Sequence, residues 1–126
     1  MSAPTLFIVI PCYNEEEVLP ITAKALMQKT DRLKAEGKIS ADSRIMFVDD
    51  GSKDKTWEII EKLHSLNSVF TGLKLSRNKG HQNALLAGLM TAKDHADIII
   101  SMDADLQDDI DAVDGFLEKR AEGCDI

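Results

Sequence analysis

The chain has 126 residues, of which 44% are hydrophobic and 29% are charged, a composition typical of one globular domain with enough apolar surface to form a core. Its 22 acidic residues outnumber 15 basic ones and give a net charge of −7. This balance argues against a nucleic-acid-binding protein, because such proteins cluster Lys and Arg against phosphates.

Cysteine usage and the N-terminus bear on where the protein works. Cys12 and Cys124 lie near opposite ends of the sequence and fit neither a zinc-site spacing nor a disulfide framework, so we expect a cytoplasmic protein. The apolar run at residues 6–10 lacks the positive flank and the length of a secretory signal, and no run approaches the ~20 residues of a membrane span. We therefore expect any membrane association to depend on a region outside these residues.

Short apolar runs alternate with stretches of helical period, which predicts α/β architecture with a mainly parallel sheet flanked by helices. The first strand is expected at residues 5–10 and should stop at Pro11. The helix after it should be capped by Asn14, with residues 15–17 in its first turn, where the helix dipole favours acidic groups. It should bury Leu19, Leu26 and Leu33 and end at residues 36–38.

The later elements repeat this alternation. A second strand at 44–48 leads through the turn 49–52 into a helix, and a third strand at 69–75 leads through the loop 76–80 into a helix at 81–93. That helix carries Leu85, Leu86, Leu89 and Met90 at helical intervals, and Met46, Met90 and Met102 are expected in the core. A fourth strand at 97–102 and a last helix at about 110–122 follow, and residues 124–126 resemble the start of a fifth strand. We therefore expect residues 1–126 to be a single but incomplete domain.

The most informative segment is MDADLQDD at residues 102–109, which follows the apolar run 98–100. It puts Asp103 and Asp105 where a buried strand should end, and ligands of open α/β sheets bind beyond the carboxyl ends of strands. Carboxylates and the amide oxygen of Gln107 are ligands that hard divalent cations prefer. The alternative is an acidic loop that only caps the next helix.

Three loops are predicted to meet at this edge of the sheet, at residues 11–15, 49–52 and 103–107. Together they offer what a nucleotide needs: a ring surface such as Tyr13, an acceptor for ribose hydroxyls such as Glu15, and a carboxylate such as Asp50 for a ring N–H. Each part also has a purely structural interpretation. The 49–52 segment could be only a turn and helix cap, and Tyr13 only a packing residue. His81 could order its loop or face a phosphate, with a purely structural role as the alternative. Arg77 and Lys79 could contact phosphates, but isolated basic residues are usually solvated surface.

Other classes have weaker support. The sequence contains no P-loop, no dinucleotide-binding glycine motif, no G-x-S-x-G and no H-E-x-x-H. A receiver-like phosphoacceptor module has a similar length and an acid pair, but that pair should follow the first strand rather than the second. A metal-dependent nucleotidyltransferase should carry a glycine-rich, basic loop after its first strand, which residues 11–15 do not provide.

The ordered motifs IPCYNEE, VDDGSKDKT, SRNKGHQNAL and MDADLQDD resemble the N-terminal half of glycosyltransferase family 2 enzymes, which have a Rossmann-like GT-A nucleotide-binding fold. Within that family they most resemble the polyprenyl-phosphate sugar transferases of the dolichol-phosphate mannosyltransferase and bactoprenol glucosyltransferase type. The resemblance covers residues 6–126. Asp109 departs from the family, whose members commonly have Pro there, and this should alter the helix start more than the metal site.

The resemblance implies a role for each matching position. It places a nucleotide-sugar at Pro11, Tyr13, Asn14, Glu15, Asp49, Asp50, Ser52, Arg77, Gly80, His81, Asp103, Ala104 and Asp105. Asp103, Asp105 and Gln107 match the family's metal site, which implies Mg²⁺ or Mn²⁺ bound with the donor diphosphate.

The implied reaction is inverting transfer of a sugar from a UDP- or GDP-linked donor to a lipid phosphate or a glycan. The family's acceptor-side and catalytic residues are expected beyond Ile126. We therefore expect this chain alone to bind the donor weakly and to turn over little or nothing.

Overall fold

The computed structural model describes residues 3–104, 113–115 and 117. Within them lies one four-stranded sheet of order β3-β2-β1-β4, in which every strand pair is parallel. The strands are β1 (Leu6–Cys12), β2 (Arg44–Asp49), β3 (Phe70–Lys74) and β4 (Ile98–Ser101). They alternate with the helices α1 (Leu19–Ala35), α2 (Thr56–Leu66) and α3 (His81–Ala92). The predicted α/β class is confirmed. The predicted fifth strand and most of the predicted last helix fall outside the described residues, although 113–115 and 117 are helical.

Strand β1 occupies the centre of the sheet, and all seven of its residues are buried. It runs to Cys12, so the prediction that it stops at Pro11 was wrong. The reason lies in the register. Pairing with β4 ends at Val9↔Ser101, whereas pairing with β2 continues to Cys12↔Asp49. The carbonyl of Cys12 accepts the N–H of Asp50, and successive strand residues face alternate neighbours. Pro11 therefore faces the β4 side, where no ladder bond needs its missing N–H.

Helix α1 begins five residues later than Asn14, the residue predicted to cap it. Its N-cap is Val18 without a side-chain cap bond, and no acidic residue lies in its first turn. Asn14 has a φ of 53°, and its side-chain oxygen accepts the N–H of Lys53. The side chain is thus used by a contact to the second loop and is not available to cap the helix.

Helices lie on both faces of the sheet. One face packs against α1 and α2 in a core that includes Ile8, Phe47 and Leu26, and the other packs against α3. The buried residues of α3 are small, namely Ala84, Gly88 and Ala92, whereas Leu85 and Leu89 are only partly buried against this cluster. Leu86 and Met90 are exposed, so the prediction of Met90 in the core was wrong, whereas Met46 and Met102 are buried as expected. A Cβ on Gly88 would lie 2.5 Å from Val9 Cγ1, which leaves no room there for a larger side chain.

Candidate functional site

A cleft of about 340 Å³ opens at the carboxyl ends of the strands, which is the edge where ligands of such sheets bind. Its volume lies in the range of about 300–1,000 Å³ typical of small-molecule sites. Eight of the predicted residues line it: Pro11, Tyr13, Glu15, Asp50, Gly80, His81, Asp103 and Ala104. The prediction that the three loops meet in space is therefore confirmed for their described residues, which include only 103 and 104 of the third loop.

The other predicted site residues are placed differently. Asn14, Asp49, Ser52 and Arg77 are not among the lining residues. A hydrogen bond between Asn14 and Ser52 joins the first two loops, whereas Asp49 is buried and Arg77 is exposed. Asp105 and Gln107 lie outside the described residues, so their roles stay predictions. Cys12 and Asn78 line the cleft although they were not predicted. The sequence indicates these two residues only by their position, because each lies in a motif beside predicted site residues.

The first loop is held by backbone-to-side-chain hydrogen bonds to the residues after β2. The N–H of Asn14 donates to Ser52 Oγ at 2.9 Å, and the N–H of Glu15 donates to Thr56 Oγ1 at 2.8 Å. Tyr13, directly before these two anchored positions, is 39% exposed. The loop is therefore fixed by its backbone, which leaves the Tyr13 ring accessible at the rim of the cleft.

Two adjacent acids of the second loop do different work. Asp49 is fully buried, and one of its carboxylate oxygens accepts the N–H of Ser52. Its other oxygen, Oδ2, is buried and has no hydrogen-bond partner among the described residues. Asp50 is 3% exposed and accepts the N–H groups of Lys79 at 2.6 Å and Gly80 at 3.1 Å. Asp50 therefore anchors the loop that leads into α3.

Glycine at position 51 allows that loop to lie directly on the turn. Gly51 has a φ of +70°, and a Cβ there would lie 2.4 Å from the backbone nitrogen of Asn78. A side chain would thus be strained by the backbone conformation and would also displace the loop. The turn at 49–52 is consequently more than a helix cap, because the loop at residues 76–80, which also lines the cleft, rests on it.

Cys12 forms part of the cleft floor as a neutral thiol. It is buried, and its Sγ donates to the carbonyl of Ile10. Burial raises the pKa of Cys12 well above its ordinary value, and the charges of Glu15 and Asp49 raise it further. This thiol is therefore a packing group rather than a nucleophile.

Asp103 projects from the end of β4 with 70% of its side chain exposed, and its Oδ1 lies 3.9 Å from Nε2 of His81. Met102 and Ala104 on either side are buried, so the chain turns only the carboxylate into the cleft. The position suits an oxygen ligand of a divalent cation. Within the described residues no group of three metal-binding side chains occurs. Asp103 is thus the one predicted metal ligand that lies within the described residues.

The part of the chain that the structure describes has no helix long and apolar enough to cross a bilayer.

The proteins whose sequences are similar to this chain include named glycosyltransferases. The chain is 54% identical over 125 residues to an uncharacterized glycosyltransferase, YkoT, of Bacillus subtilis, covering 99% of this chain and 37% of that protein. It is 40% identical over 121 residues to a prophage bactoprenol glucosyl transferase homolog of Escherichia coli, covering 94% and 36%. The chain therefore spans little more than a third of the length of these relatives.

Solved structures share the fold at low sequence identity. S. aureus TarS in complex with UDP-GlcNAc matches with a TM-score of 0.64 and 19% identity, covering 93% of this chain and 32% of that one. A mannosyltransferase from Pyrobaculum calidifontis in complex with GDP-Man and Mn²⁺ matches with a TM-score of 0.61 and 23% identity, covering 90% and 31%. These structures are GT-A glycosyltransferases, and the four-stranded parallel sheet matches their fold.

The family model for glycosyl transferase family 2 matches residues 7–126, a range that contains every loop of the cleft. Sequence relatives, fold and family model agree, and none of them supports the receiver-like or nucleotidyltransferase alternatives. The chain belongs to glycosyltransferase family 2, and its sheet matches the GT-A fold.

Proposed function

We propose that this chain forms the donor-binding part of an inverting glycosyltransferase that uses a nucleoside-diphosphate sugar. The observation that carries the proposal is the charge of the cleft. Among the described lining residues there are three carboxylates, on Glu15, Asp50 and Asp103, together with His81, and neither Lys nor Arg. An anionic diphosphate would be repelled by this lining unless a cation came with it.

The wall made by the first two loops suits a nucleoside. Tyr13 offers an exposed ring to a base, and Glu15 offers acceptors to ribose hydroxyls. Asp50 remains the proposed acceptor for a base N–H. Its two oxygens already bind backbone amides, but each carboxylate oxygen can accept a second hydrogen bond. Uracil and guanine both present a ring N–H, so we propose a UDP- or GDP-linked donor.

The rim at Asp103 suits the diphosphate and its cation. Asp103 would hold Mg²⁺ or Mn²⁺, with Asp105 and Gln107 as the further proposed ligands. The bound cation would offset negative charge that develops on the leaving diphosphate. Its proposed use is supported by the Mn²⁺ in the P. calidifontis mannosyltransferase of the same fold. We propose that His81, whose Nε2 lies 3.9 Å from Asp103 Oδ1, faces the same diphosphate.

The acceptor is proposed to be a polyprenyl phosphate, with a growing glycan as the alternative. The name of the E. coli relative, a bactoprenol glucosyl transferase homolog, supports the lipid. A lipid phosphate is ionised at neutral pH and needs little general-base assistance, whereas a sugar hydroxyl needs a base to remove its proton. Attack opposite the diphosphate on an oxocarbenium-like anomeric carbon inverts its configuration.

Calorimetry with UDP, GDP and their sugar derivatives, with and without Mn²⁺, tests the proposal. We expect binding only with the cation and expect Asp103→Asn to abolish it. Asp94→Asn is the matched control, because Asp94 is an exposed carboxylate just beyond the opposite end of α3. Equal nucleotide binding with and without Mn²⁺, or by wild type and Asp103→Asn, would refute the metal-assisted donor site.

A further inference from the structure

Helix α1 contacts the acidic segment on both sides of residues 105–112. Before that stretch, the hydroxyl of Thr22 donates to the carbonyl of Ala104, across 82 positions of sequence. After it, Lys29 Nζ donates to Asp114 Oδ2 at 2.6 Å, across 85 positions. One helix therefore contacts the chain both before and after Asp105 and Gln107, two of the three proposed metal ligands.

The Thr22 contact is a buried one. Thr22 is 5% exposed and Ala104 is 4% exposed, so the carbonyl of Ala104 needs a protein donor to compensate for its lost hydration. Another threonine of α1, Thr30, is also buried, but its hydroxyl donates to the carbonyl of Met27 within the same helix. Burial alone therefore does not explain where the Thr22 hydroxyl points.

The bonded carbonyl belongs to the residue directly after Asp103. Met102 is buried, and its N–H donates to the Val9 carbonyl, which fixes the chain before Asp103. The Thr22 bond fixes the chain after it. Asp103 is thus held between two anchored neighbours, with its own side chain left exposed.

The second contact holds the chain beyond the segment. Asp114 binds Lys29 and also Arg32, whose Nη2 lies 3.0 Å from Oδ2. Val113 and Leu117 are buried in the core against this side of the sheet. The position of residues 113, 114 and 117 relative to α1 is therefore set by both packing and charge.

From these contacts we propose that Thr22 is a positioning residue for the cation site, acting through the Ala104 carbonyl to aim Asp103. The inference rests on the proposed function, since it concerns the same cation. Contacts that orient metal ligands typically change metal affinity by about 10–100-fold when they are removed. The sequence does not identify Thr22 as a site residue. It lies outside the family motifs, and a buried threonine is ordinary in an amphipathic helix.

The test uses the full chain with Thr22→Val, which keeps the shape of the side chain and removes the hydroxyl. Mn²⁺ affinity in the presence of UDP should fall by about tenfold. Thr22→Ser should restore most of it. Thr30→Val, which removes the hydroxyl of another buried threonine from the same helix, should leave the Mn²⁺ affinity unchanged. Equal Mn²⁺ affinity for Thr22→Val and Thr30→Val would overturn the inference.

A second readout does not depend on the cation. In metal-free protein, Thr22→Val should speed hydrogen exchange at the backbone amides of residues 103 and 104, and Thr30→Val should not. If the wild type bound no Mn²⁺, the proposed function would fail, while the exchange rates would still decide whether Thr22 positions this backbone. Unchanged exchange in Thr22→Val would overturn the positioning role.

Discussion

Replacing Asp50 with asparagine is expected to loosen the loop at residues 76–80 from the turn beneath it. In the structure the two carboxylate oxygens accept the N–H groups of Lys79 and Gly80 at 2.6 and 3.1 Å. Asparagine keeps a single acceptor oxygen and turns an NH₂ donor toward a backbone donor. One hydrogen bond is therefore lost, and the other loses its ionic character.

The size of the effect follows from these contacts. A hydrogen bond to a charged group contributes about 1.5–3 kcal/mol. The Gly80 N–H is shared with Asn78 Oδ1 at 3.0 Å, and the loop is exposed, so we expect a value near the lower end. A total loss of about 2 kcal/mol in local stability corresponds to about 30-fold faster exchange of the two amides.

Amide hydrogen exchange measured by NMR at Lys79 and Gly80 tests this reasoning. Asp97→Asn is the matched control, because Asp97 Oδ2 also accepts a backbone N–H, from Thr5 at 2.8 Å, at the opposite edge of the sheet. Its substitution should leave the loop unchanged. If the exchange rates of these amides in Asp50→Asn stayed within about threefold of the wild-type rates, the change in local stability would be less than about 0.7 kcal/mol. That result would show that the carboxylate does not hold the loop.

The same variant separates two roles of Asp50. If Asp50 serves only as the acceptor for a base N–H, the substitution should weaken nucleotide binding and leave the amide exchange of the loop unchanged. If it holds the loop, both should change. Calorimetry with UDP and GDP on the samples used for exchange makes the comparison direct.

Two further predictions concern stability. The hydrogen bond from Lys29 lowers the pKa of Asp114 below its ordinary value of 3.8. The ion pair should therefore stabilise the fold fully at pH values above 3.8. This stabilisation should disappear as the pH falls through the lowered pKa. We expect Asp114→Asn to reduce the free energy of unfolding by less than about 1 kcal/mol at neutral pH, because the pair is partly exposed, and by almost nothing in strong acid. Urea unfolding at several pH values checks this, and a pH-independent difference would contradict it. Gly88→Ala should lower the free energy of unfolding by about 1–2 kcal/mol, since its Cβ would meet Val9. Gly115→Ala, with nothing within 4 Å of the new Cβ, should raise it by up to about 1 kcal/mol; stabilisation by both changes would refute the steric argument.

The strands were predictable because each is an apolar run buried in a parallel sheet. All seven β1 residues are buried, and such a run has few alternatives in a chain of alternating strands and helices. Once the strands were placed, parallel pairing alone brought their carboxyl ends to one edge. The meeting of the three loops at the cleft follows from this geometry and required no knowledge of the side chains.

The wrong predictions concern residues whose type is compatible with two structural roles. Asn14 is a good N-cap by type, but tertiary contacts to Ser52 and Lys53 hold it in a left-handed turn instead. Helix α3 shows the same limit. Its leucines gave the stronger periodic signal, yet the close approach of α3 to the sheet selected Gly88 and its small neighbours for the buried face. Periodicity identifies the helix but does not say how near its axis lies to the sheet.

The contacts that shape the cleft connect segments that are distant in sequence. Asn14 and Ser52 are 38 positions apart, Asp50 and Lys79 are 29 apart, and Thr22 and Ala104 are 82 apart. Each joins a side chain to a backbone group, so residue type at either end gives little indication of the pair. Motifs can therefore predict which loops meet but not which residues hold them in place. It follows that a substitution in one loop, such as Asp50→Asn, should disturb the geometry of a loop that it does not belong to. Substitutions that abolish binding consequently do not by themselves identify the residues that touch the ligand.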